Sequence, residues 1–372
     1  MKASFVLGRL FGIKIGIHIS WLFIFVFLTW SLAVGYFPQE GVLPDQTTLV
    51  YWLLGSVSSL SLFLSVLAHE LGHSIVAQRN GIPVKSITLF IFGGSSNISK
   101  EAESPGAEFR MAVSGPLVSF GLSVVFYALY LGFGQVFGAL SVVLGYLSQV
   151  NLVLGIFNLL PGFPLDGGRV FRAALWKITK DETKATRIAA GTGQVIAYMF
   201  IFGGIALAFI IGIGGLWLAL IGWFLASAAT ASYQQTVVSE SLSGATVRAI
   251  LNPDVIPADS DLNIEQAMAL MLSHSQRALP IIRNGYLTGL LTMSDLKHID
   301  RNQWGDEKVF NIMTPLASLK TLGPADELSK VLNIMQETGH NQLPVIDNGK
   351  FLGLVSRADL LDYVNIKLEL KS

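Results

Sequence analysis

Two histidines and a glutamate share one short stretch, Ala68-His69-Glu70-Leu71-Gly72-His73. On a helix, His69 and His73 are four residues apart and lie one turn above the other on one face, where both imidazoles can ligate one Zn²⁺. Glu70 projects beside them, close enough to take a proton from a water activated by the metal. The pattern H-E-x-x-H also arises by chance in soluble helices, so its surroundings decide. The 23 residues from Gln46 to Ala68 contain no Asp, Glu, Lys or Arg. Ionisable groups at the end of such a hydrocarbon-length run are costly to keep there and mark function.

A hydrolytic zinc needs a third protein ligand and an open position. His18 is the only other histidine of the first 240 residues; it opens the first apolar run and reads as an interfacial or packed residue. Asp166 is better placed, in Asn158-Leu-Leu-Pro161-Gly162-Phe163-Pro164-Leu165-Asp166-Gly167-Gly168. The prolines deny this segment a regular helix and the glycines permit sharp turns. A helix N-cap is the competing role for Asp166. Asn158, an amide in an apolar run, needs a partner, and helix-helix hydrogen bonding competes there with a bound peptide backbone or a network around the metal.

The elements that must hold these residues are membrane spans. At 52% hydrophobic and 13% charged residues, with a mean hydropathy of +0.56, the chain is too apolar for a soluble protein, in which about a quarter of residues are charged. With no cysteine, it has no disulfide framework and no thiolate metal site. Its zero net charge gives no signal of a nucleic-acid partner. Lys2, Arg9 and Lys14 precede a charge-free run from Ile15 to Gln39, too long for a signal-peptide core and therefore read as a retained span. Charge-free stretches predict about six transmembrane helices, near 16–36, 52–78, 111–132, 138–160, 193–212 and 215–236. Two of the runs, Met111–Leu165 and Ile188–Ser239, are each long enough for two spans and need breaks near Gly132-Phe133-Gly134 and Gly212-Ile213-Gly214.

All 13 basic residues before position 241 fall in the N-terminal tail, in Arg79–Arg110 or in Arg169–Arg187, whereas the loop with Glu40 and Asp45 has none. By the positive-inside rule both termini are cytoplasmic, and so is the membrane face of His69, His73 and Asp166. The segment Val84–Ile98 is β-branched and alternates weakly up to Phe92-Gly93-Gly94. It reads as a short strand or hairpin dipping toward the membrane, allowed where protein or water satisfies its backbone.

His69-Glu70-x-x-His73, followed 97 residues after His69 by Asp166 within N-x-x-P-x-x-x-L-D-G, resembles the site-2 protease family of intramembrane zinc metalloproteases (peptidase family M50). The resemblance covers about residues 1–236 and extends to Gly16-Ile17-His18-Ile19-Ser20-Trp21, Phe92-Gly93-Gly94 and Ser114-Gly115-Pro116. Three residues after that proline the family often has Asn, where this chain has Ser119. The resemblance implies one zinc per chain held by His69, His73 and Asp166, Glu70 as catalytic base, and Asn158 and Pro161 as substrate-binding or supporting residues. It also implies a transmembrane protein substrate cut near the cytoplasmic face, unwound first and held by β-addition to Val84–Ile98.

After Leu242 short strands and helices alternate and repeat. Leu279-Pro280-Ile281-Ile282 recurs as Leu343-Pro344-Val345-Ile346, and Gly289-Leu-Leu-Thr292-Met-Ser-Asp295 recurs as Gly353-Leu-Val-Ser356-Arg-Ala-Asp359, both 64 residues on. Of the 50 formal charges, 27 fall after residue 240, as expected for a soluble domain. The repeat resembles a tandem pair of CBS domains, about 242–300 and 307–367. Such pairs commonly bind ATP, ADP or AMP, which would place Thr292, Asp295, Ser356 and Asp359 at ribose or phosphate. Without a ligand, the pair would serve as a dimerisation module with Asp295 and Asp359 at helix starts. His274, His298 and His340 stand at no metal spacing and read as surface residues.

The expected architecture is therefore a multi-pass α-helical membrane domain over 1–240, with a short membrane-associated β element, and an α/β tandem CBS pair over 241–372 on the cytoplasmic side of a cell membrane. A CBS-regulated transporter or channel, or a non-catalytic membrane scaffold, is the alternative function. A transporter would spread charges along a path through the bilayer, yet here they gather on one side, and a scaffold has no use for the paired His and Asp motifs.

Overall fold

The computed structural model describes residues 3–91, 93–98, 102–133, 138–212, 214–297 and 299–370. Lys2, Phe92, Gly134, Ile213 and His298, named above, lie outside them. The chain divides into two compact units, Met1–Gln234 and Gln235–Ser372.

The first unit opens with two strands that the charge pattern did not reveal, β1 (Phe5–Leu10) and β2 (Ile13–Ile17), paired antiparallel. Ile13 and Ile15 are buried while Lys14 between them is exposed, the period of a half-buried strand. The first apolar helix, α1 (Ser20–Ser31), continues in π-helical winding through Tyr36. It starts later than the expected 16–36 because the backbone at Ile17 and His18 is engaged by the sheet, Ser4 N–H donating to Ile17 at 2.9 Å and His18 N–H to Leu89 at 2.9 Å. At about 1.5 Å per residue the stretch Ser20–Tyr36 measures roughly 25 Å, short of a hydrocarbon core of about 30 Å.

The chain continues through α2 (Thr48–Arg79), β3 (Val84–Phe90), β4 (Gly93–Ile98), α3 (Pro105–Phe133), α4 (Gly138–Asn158), α5 (Asp166–Thr179), α6 (Glu182–Ile211) and α7 (Gly214–Leu242). Among the described residues five helices, α2, α3, α4, α6 and α7, are long and apolar enough to cross a membrane. Helix α5 lies outside the six expected spans; its buried side carries Gly167, Gly168, Arg172 and Ala173.

The four strands form one sheet in the order β1-β2-β3-β4, parallel between β2 and β3 and antiparallel elsewhere. Ile13, Ile15 and Ile87 share a cluster with Ala77 of α2 and Met111 of α3, so the sheet is seated on the end of α2 and the start of α3. Burying each isoleucine stabilises this seat by about 1.5–3 kcal/mol. Helices α2 and α3 approach closely at Gly72, where an added Cβ would stand 2.9 Å from Val118 Cγ2 and 3.0 Å from the Ser114 carbonyl oxygen. Small residues at such contacts bring membrane helices together.

The second unit repeats a helix and a hairpin. Ile264–Ser273 precedes the paired strands Ala278–Arg283 and Tyr286–Thr292; Leu328–Thr338 precedes Gln342–Asp347 and Lys350–Ser356. Both hairpins turn at Asn-Gly, Asn284-Gly285 and Asn348-Gly349, all four with positive φ, as a tight hairpin turn requires. Each copy buries its own core, Ile264, Met271, Leu279 and Leu291 in one and Leu328, Met335, Leu343 and Val355 in the other.

Candidate metal centre

Helix α2 carries His69 and His73 on one buried face, each only 5% exposed. Asp166 reaches them from the first residue of α5. Its Oδ2 lies 3.0 Å from Nε2 of His69 and 3.0 Å from Nε2 of His73, and the two nitrogens are 3.2 Å apart. Donors bound to zinc at about 2.0–2.2 Å in a tetrahedron stand roughly 3.3–3.5 Å apart, so the triangle is close to three corners of such a site. Two imidazoles and a carboxylate are a donor set suited to a hydrolytic zinc, and among the described residues these three form the one group of histidines and acids able to hold an ion.

Both rings are oriented from behind. His73 Nδ1 is 2.7 Å from the Met111 carbonyl oxygen. A carbonyl only accepts, so Nδ1 carries the proton and Nε2 keeps its lone pair for a metal. His69 Nδ1 lies 2.9 Å from the Ser119 hydroxyl, which is fully buried on α3. The position where the family often has Asn is thus occupied by a partner for the first histidine. Replacing Ser119 by alanine is expected to weaken zinc binding by about tenfold, the lower end of the range for an outer partner of a metal ligand. Chelator competition on the purified chain measures it, and an unchanged affinity would show that the hydroxyl does not orient His69.

Glycine makes room for the triad. A Cβ on Gly115 of α3 would fall 2.1 Å from His73 Nε2 and 2.7 Å from His69 Nε2, in the space that the two donor atoms face. The Glu70 carboxylate lies against the sheet. Ser96 of β4 donates to Glu70 Oε2 at 2.6 Å, Ser74 lies 3.4 Å from Ser96, and Gly94 of β4 leaves no space for a side chain beside the Glu70 carboxylate. Strand β4 is the outer strand of the sheet, so the edge next to Glu70 carries no strand partner among the described residues.

The other expected residues stand apart. Asn158 donates to its own helix, to the Leu154 carbonyl at 3.0 Å, and Pro161 is exposed. Among the described residues no hydrogen bond joins either to the triad. His18 bonds to Ser20 at 2.8 Å. In the second unit, Ser356 and Asp359 line a cleft of about 260 Å³ together with Asp254, Ser275, Arg277 and Gln342. Thr292 and Asp295 do not line it; the Asp295 carboxylate accepts from the Thr292 backbone and hydroxyl at 2.7 and 2.8 Å and lies 3.4 Å from the Thr314 hydroxyl. Both pairs also form capping boxes at helix starts, the role expected of them without a ligand.

Comparison with known proteins shows the family. The family description "Peptidase family M50" matches residues 57–141 and 134–200, and "CBS domain" matches 247–301 and 309–366. Rip3 of Mycobacterium tuberculosis, named as a zinc metalloprotease, is 36% identical over 98% of this chain and 94% of its own. The chain belongs to peptidase family M50. Another relative with a metalloprotease name, sll0528 of Synechocystis, is 35% identical over 97% of this chain and 95% of its own. The solved site-2 protease from Methanocaldococcus jannaschii is 31% identical and overlaps 61% of this chain and 94% of its own, with a TM-score of 0.42. As an M50 peptidase with several membrane-length helices, the protein is a membrane metalloprotease carrying a CBS pair. What sequence reading missed in this M50 site is its support: Ser96, Gly94 and the Met111 carbonyl. Nothing in a serine, a glycine or a backbone oxygen distinguishes them before the fold brings them to Glu70 and His73.

Proposed function

We propose that the protein is an intramembrane zinc metalloprotease that cleaves transmembrane segments of membrane-protein substrates, as in regulated intramembrane proteolysis, with residues 1–240 as the protease domain and 241–372 as a regulatory CBS pair. The observation that carries this reading is the convergence of His69 Nε2, His73 Nε2 and Asp166 Oδ2 within 3.2 Å of one another among apolar helices. In it His69, His73 and Asp166 are the ligands, and zinc, when bound, acidifies a water and polarises the scissile carbonyl. Glu70 accepts the proton of the attacking water and passes it to the leaving amine. Ser96, donating to one carboxylate oxygen of Glu70, holds the base in place and leaves the other oxygen for the proton. Asn158 and Pro161, at the loop before Asp166, support the bound segment.

A transmembrane helix shields its own amides, so it must unwind before cleavage. The outer edge of β4 offers backbone groups to an extended segment beside Glu70, which favours capture by strand addition. The lysine and arginine distribution favours both termini and the CBS pair on the cytoplasmic side. The test is a single-span substrate reconstituted with the full chain: the cut bond, located by mass spectrometry, is expected inside the span in its cytoplasmic half. A reporter after Ser372 is expected to read cytoplasmic and one near Asp45 extracytoplasmic. Cleavage confined to soluble loops, or the reverse topology, would overturn the reading.

The cleft at Ser356 and Asp359 supports adenine-nucleotide binding at the second repeat, with the pair also a homodimer contact. A nucleotide changes cleavage only if it prefers one arrangement of the chain; a tenfold preference is about 1.4 kcal/mol, so modulation is modest. Titrating ATP, ADP and AMP into the full chain is expected to show one site per chain, weakened about tenfold or more by Asp359→Ala and unaffected by Asp295→Ala. Equal loss in the two variants would contradict the assignment to one cleft, and light scattering of the same samples reports the dimer.

A further inference from the structure

We infer that the buried ion pair between Glu108 and Arg172 is a positioning device for the metal ligands, setting α5 against α3 so that Asp166 and His73 meet. The inference rests on the zinc reading above.

Glu108 stands in the first turn of α3 with no exposed surface, and Arg172 of α5 is 7% exposed. Arg172 Nε donates to Glu108 Oε1 at 2.6 Å, and its Nη2 reaches the same oxygen. Glu108 Oε2 has no hydrogen-bond partner among the described residues. The guanidinium extends to α6, with Nη1 at 3.5 Å from the Thr186 hydroxyl and 3.8 Å from Glu182 Oε1. Its Cζ lies 5.4 Å from the centre of the Phe163 ring, over the loop that leads to Asp166.

One end of this pair lies about one turn from a residue that orients a ligand and the other nearly two turns from a ligand. Met111, three residues after Glu108, supplies the carbonyl that fixes the tautomer of His73. Arg172 is six residues after Asp166 on one helix, and the start of that helix is pressed against the preceding loop. A Cβ at Gly167 would fall 2.2 Å from the Leu159 carbonyl oxygen, and one at Gly168 would fall 2.4 Å from Phe163 N. Loop, Asp166 and α5 are thus packed as one body, and Glu108 ties this body to α3 through Arg172, with Arg169 Nε of the same helix 3.9 Å from Glu108 Oε1.

Stability does not account for the pair. Burying two charges costs about what their attraction returns, and apolar replacements of similar volume are often neutral or stabilising. An orphaned Oε2 makes the arrangement dearer still. What an ion pair supplies that an apolar contact does not is register, because a shift of α5 against α3 would pull the Arg172 fork off the Glu108 carboxylate.

The experiment compares zinc affinity with metal-free stability in the full chain. Zinc affinity is measured by chelator competition, and metal-free stability by thermal unfolding of the chelator-stripped protein in lipid nanodiscs. For the double variant Glu108→Leu/Arg172→Met the expected result is a metal-free midpoint at or above wild type with zinc affinity lowered about 10–100-fold, the range for lost outer support of a ligand. Arg172→Lys keeps the charge without the planar fork; it is expected to fold and to bind zinc with an affinity between those of wild type and the double variant. Wild-type zinc affinity in a folded double variant, or in Arg172→Lys should the double variant fail to fold, would overturn the positioning role. Asp166→Ala is run beside them: if it retained wild-type zinc, the ligand assignment itself would fail, whereas its loss of zinc with unchanged affinity in the other variants would reject only the ion-pair inference.

Discussion

Replacing Glu70 by glutamine is expected to lower the cleavage rate by about 10²–10⁴-fold, the contribution of a positioned proton acceptor, while leaving zinc content near wild type. The two effects separate because Glu70 is not one of the converging donors; it faces β4, where Ser96 donates to it at 2.6 Å. A glutamine amide oxygen can accept the same hydrogen bond, so the side chain stays in place and only its basicity is lost. Parallel measurement of bound zinc and of single-turnover cleavage in the purified variant makes the comparison. Cleavage at the wild-type rate would remove Glu70 from the mechanism.

Loss of any ligand is expected to cost more, because metal and activity go together. His69→Ala, His73→Ala and Asp166→Ala each leave two donors where a hydrolytic zinc uses three. Zinc should become substoichiometric in all three, and cleavage should fall to background. Gly115→Ala is expected to do the same without touching a ligand, since its methyl carbon would occupy a point 2.1 Å from His73 Nε2 and 2.7 Å from His69 Nε2. A folded Gly115→Ala chain with full zinc occupancy would mean that α3 can withdraw from the site at little cost, contrary to the close contact at Gly72.

The candidate triad was legible in sequence because its chemistry conflicts with its surroundings: His69, His73 and Asp166 border long charge-free runs, and such residues persist there only with a partner. The strands β3 and β4 were legible for a similar reason, as a β-branched stretch between spans. Strands β1 and β2 were not. Lys14 and Arg9 drew attention as topogenic charges, and the alternation of Ile13, Ile15 and Ile17 is too short to stand against the apolar run that follows. Helix α5 was hidden by its three basic residues, one of which, Arg172, is buried against Glu108. A charge paired across 64 residues of sequence leaves no local signature. Asn158 was expected to need a partner, and its amide nitrogen donates to the Leu154 carbonyl one turn back. In the second unit the two copies look alike in sequence, and only the fold shows that Asp359 lines a cleft while Asp295 is tied to Thr292 and Thr314.

The central claim is that His69, His73 and Asp166 hold one zinc that hydrolyses a peptide bond within a membrane span with Glu70 as base. It is tested most directly by reconstituting the full chain with a single-span substrate and determining, in the same proteoliposomes, zinc per chain and the amount of substrate cut for wild type, Glu70→Gln and Asp166→Ala. Wild type is expected to show about one zinc and cleavage, Glu70→Gln about one zinc and almost no cleavage, and Asp166→Ala neither. Cleavage by the Asp166→Ala chain stripped of zinc would contradict it.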